Sequence, residues 1–136
     1  MRRLFPALIL LLLAVCCTSP GTQDSFVPCS EADAGIYEFT FRIDDTASLY
    51  DFSFFTRVDG KWEDSFPLSV KWLSPSGNSF SETVHYSAGE NLELYRSAVA
   101  LPEPGDWKIS VAAPETPGGF RGLGMICRKN GTRQTP

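Results

Sequence analysis

From Gly35 onward, apolar and polar residues alternate with a period of two. Tyr37, Phe39, Phe41 and Ile43 interleave with Glu38, Thr40 and Arg42, the pattern of a strand that buries one face. Tyr50, Phe52, Phe54 and Val58 repeat it against Asp51, Ser53 and Arg57. The link between these two runs, residues 44–48, is short and rich in turn formers, so the pair is expected to form a hairpin. Leu68, Val70 and Trp72 mark a third strand, closed by the turn Ser74-Pro75-Ser76-Gly77-Asn78, and Phe80, Val84 and Tyr86 mark a fourth. Residues 91–101 fit either a strand or a short helical crossover, because Leu92, Leu94 and Tyr95 suit both periods. Trp107, Ile109 and Val111 form a further strand, and a last one runs from Phe120 to about Arg128. Seven to eight short strands separated by turn signals predict an all-β fold, an antiparallel β-sandwich that is immunoglobulin-like or jelly-roll-like, over residues 35–129.

The first residues follow a different pattern. Arg2 and Arg3 precede an almost wholly apolar run, residues 4–15, which ends at Cys16-Cys17-Thr18-Ser19-Pro20. A basic start followed by an apolar stretch too short to span a bilayer is the outline of a secretory signal peptide over residues 1–16. Cysteine at the close of such a run is the site at which bacterial lipoproteins are cleaved and acylated. Cys17 is the expected lipidation site, with Cys16 as the alternative, since Cys16 is the smaller residue to stand before the cut. Residues 17–34 then read as a flexible tether, of which the stretch to Cys29 reaches about 40 Å or less when extended. Residues 130–136 are polar and are expected to be a disordered tail.

Removal of Arg2 and Arg3 takes the formal charge of the 136-residue chain from −4 to −6. An acidic domain lacks the sequence-independent attraction to phosphate that nucleic-acid binders use, so no nucleic-acid partner is expected. The single histidine, His85, excludes mechanisms that need two imidazoles and the usual His-rich zinc sites. Its phase with Ser81 and Thr83 puts it on an outward face, where a solvated histidine is the ordinary outcome. Cys29 and Cys127 stand either side of the strand region. They are candidates for a disulfide that closes a loop of about one hundred residues, and Cys127, in phase with Leu123 and Met125, reads equally well as a buried free thiol. No Cys-x-x-Cys accompanies them, and neither a metal nor a cofactor is expected.

Acid pairs such as Asp44/Asp45 and Glu63/Asp64 have the residue types of glycosidase carboxylates, and with Asp51 and Asp59 they have those of a calcium site at one end of the sandwich. Neither motif has a diagnostic spacing, and no catalytic residue is assigned. Binding is the stronger expectation. Phe55 falls on the face opposite Phe52 and Phe54, Trp62 lies in the loop Asp59-Gly60-Lys61-Trp62-Glu63, and Tyr95 lies in the ambiguous segment. These three are the candidate recognition surface, for a protein partner or for stacking on sugar rings, and packing at the core rim is the competing reading.

The order and spacing of several motifs carry a resemblance. Tyr37-Glu38-Phe39-Thr40-Phe41-Arg42-Ile43-Asp44-Asp45 is followed by Leu49-Tyr50-Asp51-Phe52-Ser53-Phe54-Phe55-Thr56-Arg57, then by Pro67-Leu68-Ser69-Val70-Lys71-Trp72, the Ser74-Pro75-Ser76-Gly77 turn and Ser81-Glu82-Thr83-Val84. Pro104-Gly105-Asp106-Trp107-Lys108-Ile109 and Phe120-Arg121-Gly122-Leu123-Gly124-Met125 complete the set. In this arrangement the chain resembles the gliding motility-associated lipoprotein family (GldH type) of Bacteroidota. The resemblance implies a small non-enzymatic lipoprotein, held in the membrane by a lipid anchor and working among envelope or motility-machinery proteins. It supplies no catalytic residue. No acidic run follows Cys17, and this favours a periplasm-facing domain on the inner or outer membrane. The alternative function is a carbohydrate-binding sandwich at the cell envelope.

Overall fold

The structure, a computed structural model, describes residues 21–132, which form eight strands. These are β1 (Thr22–Pro28), β2 (Ile36–Ile43), β3 (Ser48–Val58), β4 (Phe66–Leu73), β5 (Ser79–Tyr86), β6 (Leu92–Ala100), β7 (Gly105–Ala112) and β8 (Phe120–Thr132). They build two antiparallel four-stranded sheets, the first in the order β1-β8-β3-β6 and the second in the order β2-β7-β4-β5. The pairings are nested: β1 with β8, β2 with β7, β3 with β6 and β4 with β5. Bonds between β3 and β8 and between β4 and β7 join these pairs into sheets. A long hairpin wrapped around itself gives this order, which is that of a jelly roll. The expected all-β sandwich is thus the observed fold.

The alternating runs face inward as read. Tyr37, Phe39, Phe41 and Ile43 from β2 meet Tyr50, Phe52 and Phe54 from β3 across the sandwich, all buried. The Phe52 ring stands edge-on to Trp72 at 4.8 Å and to Phe41 at 6.0 Å, and Trp72 stands edge-on to Trp107 at 6.5 Å. Such tilted aromatic pairs add to the area term that dominates the core.

Three expectations need correction, and one open reading is settled. The hairpin between β2 and β3 does not form, because the two strands lie in opposite sheets. Each has one strongly apolar face, and crossing the sandwich presses those faces together, whereas side-by-side pairing would leave both uncovered. Asp45 shapes the crossing: its carboxylate accepts from the Ala47 and Ser48 N–H groups at 3.0 and 3.2 Å, and its carbonyl accepts from the Tyr50 hydroxyl at 2.6 Å. Residues 22–28 are not part of a flexible tether but form β1, paired from Thr22 opposite Arg128 to Pro28 opposite Gly122; residues 17–20 lie outside the described residues. As an edge strand with inward Gln23 and Ser25, β1 has too few apolar residues for its alternation to stand out. Residues 130–132 are not tail, because β8 continues to Thr132; residues 133–136 lie outside the described residues. The segment 91–101 is the strand β6, whose register against β3 slips twice and whose Ala98 has φ 54°. Those irregularities blurred its period.

Of the two readings of Cys29 and Cys127, the structure holds the free thiols. The register sets Gln23 opposite Cys127, while Cys29 lies six residues farther on and its N–H bonds the Arg121 carbonyl at 2.8 Å. Six extended residues separate the two by about 20 Å, and a disulfide needs Cα atoms within about 7 Å. Both thiols are free, Cys29 exposed and Cys127 buried beside Met125 and Leu123. Burial pushes the Cys127 thiol up to about 12, so it behaves as a small apolar side chain.

Candidate functional site

The two outer faces of the sandwich differ in character. That of the second sheet is mostly polar, with Glu38, Thr40, Lys108, Ser110, Lys71 and Ser81, and carries Ile36, 42% exposed, and Leu73 at separate positions. That of the first sheet carries an apolar ladder. The cross-strand registers align Phe26 (β1), Gly124 (β8), Phe55 (β3) and Leu92 (β6) in one row, and Asp24, Ile126, Ser53 and Leu94 in the next. Leu92 and Leu94 are 57% and 58% exposed, more than other large apolar side chains among the described residues.

Two glycines make room for the rings of this ladder. The Phe55 ring rests on Gly124, in the space where a Cβ would stand, and the Phe26 ring covers Gly122 in the same way. Phe26 and Phe55 are adjacent and nearly parallel, with centroids 5.8 Å apart and ring planes at 20°, and the Arg57 guanidinium sits 4.9 Å from the Phe26 centroid. A large ring lying over a strand glycine shields backbone that the missing side chain would leave bare. Four charges flank the ladder on this face, Asp24 and Asp51 against Arg57 and Arg128, so its local charge balances. Of the ladder residues, Phe26, Phe55 and Ile126 are half-buried and Leu92 and Leu94 exposed.

The three expected recognition residues do not share a surface. Phe55 belongs to the ladder. Tyr95 points inward, tilted against Phe54 at 4.9 Å, where its hydroxyl accepts from Trp72 Nε1 at 2.9 Å and donates to Glu82 Oε1. Trp62 is half-buried at one end of the sandwich, packed on the core, and its indole N–H is buried without a protein partner. Tyr95 is therefore part of a latch between the edge strands β5 and β6. Arg96 completes the latch by bonding both Glu82 oxygens, at 2.9 and 2.7 Å. Burial opposes the charge of Glu82, but the Tyr95 hydroxyl and the Arg96 guanidinium outweigh it and hold the carboxyl below its ordinary range. The Tyr95 hydroxyl is raised, by burial first and by Glu82 second. Glu82 occupies the gap in the inward series Phe80, Val84, Tyr86, and an acid in an otherwise apolar phase was the signal that could have found it.

Four of the six acidic candidates, Asp44, Asp45, Asp51 and Asp59, are bonded within the fold. Asp44 and Asp45 stand at one end of the eleven-residue β3 and Asp59 beyond the other, a span of about 35 Å that rules out one shared calcium site. Asp44 pairs with Arg42 and Asp59 with Arg121, each at 2.9 Å. Asp51, 8% exposed, accepts from the Ala98 N–H and the Asn130 amide at 2.8 Å and from the Ser97 hydroxyl at 3.2 Å. Glu63 and Asp64 are exposed in the loop before β4. Among the described residues, no group of three or more His, Cys, Asp or Glu side chains is placed to hold a metal ion. His85 is exposed at the rim of a recess of about 210 Å³ between β5 and β6, floored by Phe54, Leu68 and Tyr86; ligand pockets usually occupy about 300–1,000 Å³. Cys16 and Cys17 lie outside the described residues.

No known protein-family profile matches the chain, and no curated protein matches it. Among solved structures it is similar to a protein from Sulfurospirillum deleyianum known from a crystal structure, with a TM-score of 0.51 and 10% identity over 82% of this chain and 99% of that one. It also overlaps a structure of infectious bursal disease virus, Gx strain, with a TM-score of 0.31 and 14% identity over 81% of this chain and 32% of that one. At 10% identity the first likeness speaks to the fold alone.

Proposed function

We propose that the protein is a non-enzymatic lipoprotein of the cell envelope, resembling the gliding-motility lipoproteins, which works as a membrane-anchored scaffold or interaction module. The observation that supports this most is the apolar ladder, present on one outer face and beginning on β1, the strand nearest Cys17. The chain from Cys17 to Thr22 is five residues, which reach roughly 17 Å at full extension, so an acylated Cys17 would keep the sandwich close to the bilayer. Two or three acyl chains anchor a protein far more firmly than one, at about 0.8 kcal/mol per buried methylene.

The test is a double substitution, Cys16→Ser with Cys17→Ser, followed by fractionation. The expected result is a folded protein, unchanged by circular dichroism, that moves from the membrane pellet to the soluble fraction. A double variant that still sediments with membranes after dilution overturns the lipid anchor.

A further inference from the structure

We propose that the occupant of the apolar ladder is the lipid surface itself, so that the sandwich lies on the bilayer with β1-β8-β3-β6 against the headgroups and β2-β7-β4-β5 turned away. The inference deepens the reading of the chain as a lipoprotein and rests on it. Three observations carry it. First, the ladder starts at Phe26, four residues into the described strand that follows the anchoring cysteine, and a five-residue leash holds that strand near the membrane at high effective concentration. A face so held needs little intrinsic affinity. Second, the face presents Leu92, Leu94, Phe55 and Phe26 in adjoining register positions, with the Phe55 and Phe26 rings laid over Gly124 and Gly122. Third, the acids Asp24 and Asp51 on this face are matched by Arg57 and Arg128, so the net negative charge of the domain lies elsewhere and does not repel lipid headgroups here.

The consequence is a fixed orientation. The polar sheet, with Glu38, Lys71 and Lys108 outward, and the β4–β5 turn are left facing the aqueous side, where envelope proteins can meet them. An apolar face of this type settles roughly 5–10 Å into the boundary between headgroups and acyl chains.

The experiment uses the full acylated chain carrying Cys29→Ser, reconstituted into vesicles of phosphatidylethanolamine and phosphatidylglycerol. A nitroxide is attached at Leu94→Cys on the ladder or, separately, at Thr40→Cys on the opposite outer face, and its immersion depth is read from relaxation by oxygen and by a water-soluble nickel chelate. The expected result is a Leu94 label shielded from nickel and exposed to oxygen, and a Thr40 label fully accessible to nickel. Equal nickel accessibility at both positions in protein that floats with the vesicles overturns the orientation while leaving the anchor intact. Strong dipolar broadening between Leu94 labels, with shielding from both reagents, overturns it in favour of a second copy of the chain covering the face. Protein that does not float with the vesicles overturns the anchor, and this inference with it.

Discussion

Asp51→Ala removes the group that pins the irregular end of β6. Two strands converge on this carboxylate: β6 through the Ala98 N–H and the Ser97 hydroxyl, and β8 through the Asn130 amide, with Arg128 at 3.9 Å. Ala98 is in the left-handed region at φ 54°, a conformation that costs a non-glycine residue about 1–2 kcal/mol and persists only when its surroundings hold it. Hydrogen bonds to a charged group are each worth about 1.5–3 kcal/mol, and the Ser97 and Asn130 groups regain much of theirs from water once Asp51 is gone. The net cost is then about 2–4 kcal/mol, which for a domain of this size lowers Tm by about 10–20 °C. The effect also has a pH signature. The Ala98 N–H, followed by the Asn130 amide, holds the Asp51 carboxyl below its ordinary range, so its folded pKa lies below its unfolded one. That stabilisation is fully present above the unfolded value of about 4 and is lost as pH falls through the folded value. Urea unfolding followed by circular dichroism, at neutral pH and at about pH 3, measures both effects. The gap between wild type and Asp51→Ala should narrow in acid. A variant within about 0.5 kcal/mol of wild type at neutral pH, the range of an ordinary surface change, refutes the pinning role.

Gly122→Ala would set a methyl group 2.6 Å from the Val27 carbonyl oxygen, which is backbone of the paired strand, whereas at Gly124 the obstacle is the far end of the Phe55 ring. The first should destabilise by about 2–3 kcal/mol and the second by about 1 or less, in urea titrations; the reverse order would sink this account. Glu82→Gln should cost about 1 kcal/mol near neutral pH, discounted because Arg96 is partly exposed. Since the folded carboxyl of Glu82 is held below its ordinary range, that difference should shrink as pH falls through the lowered folded value, and a difference independent of pH would contradict it. In the Cys16→Ser, Cys17→Ser chain, an aromatic disulfide reagent should titrate Cys29 in the folded protein and Cys127 only after denaturation. Two thiols reacting at native conditions would refute the burial of Cys127.

Alternation in the chain tells each strand which face to bury, and that much was readable. Tyr37, Phe39, Phe41, Ile43, Leu68, Val70, Trp72, Trp107, Ile109 and Val111 all occupy the core that their phase predicts, because a side-chain period of two is local backbone geometry. The hairpin at residues 74–78 was equally legible, since a turn that joins neighbouring strands is also local. Strand partnership was not. Residues 44–48 carry the same turn chemistry and instead cross the sandwich, because what decides between pairing and crossing is where two apolar faces find cover, and that depends on six other strands. The ladder is the clearest case. Phe26, Phe55, Leu92 and Ile126 are scattered over one hundred positions of the sequence, each an isolated apolar residue with a bland explanation. They become one surface only when the nested pairing sets β1, β8, β3 and β6 side by side in register, and only that assembly gives Gly122 and Gly124 a reason to be glycine.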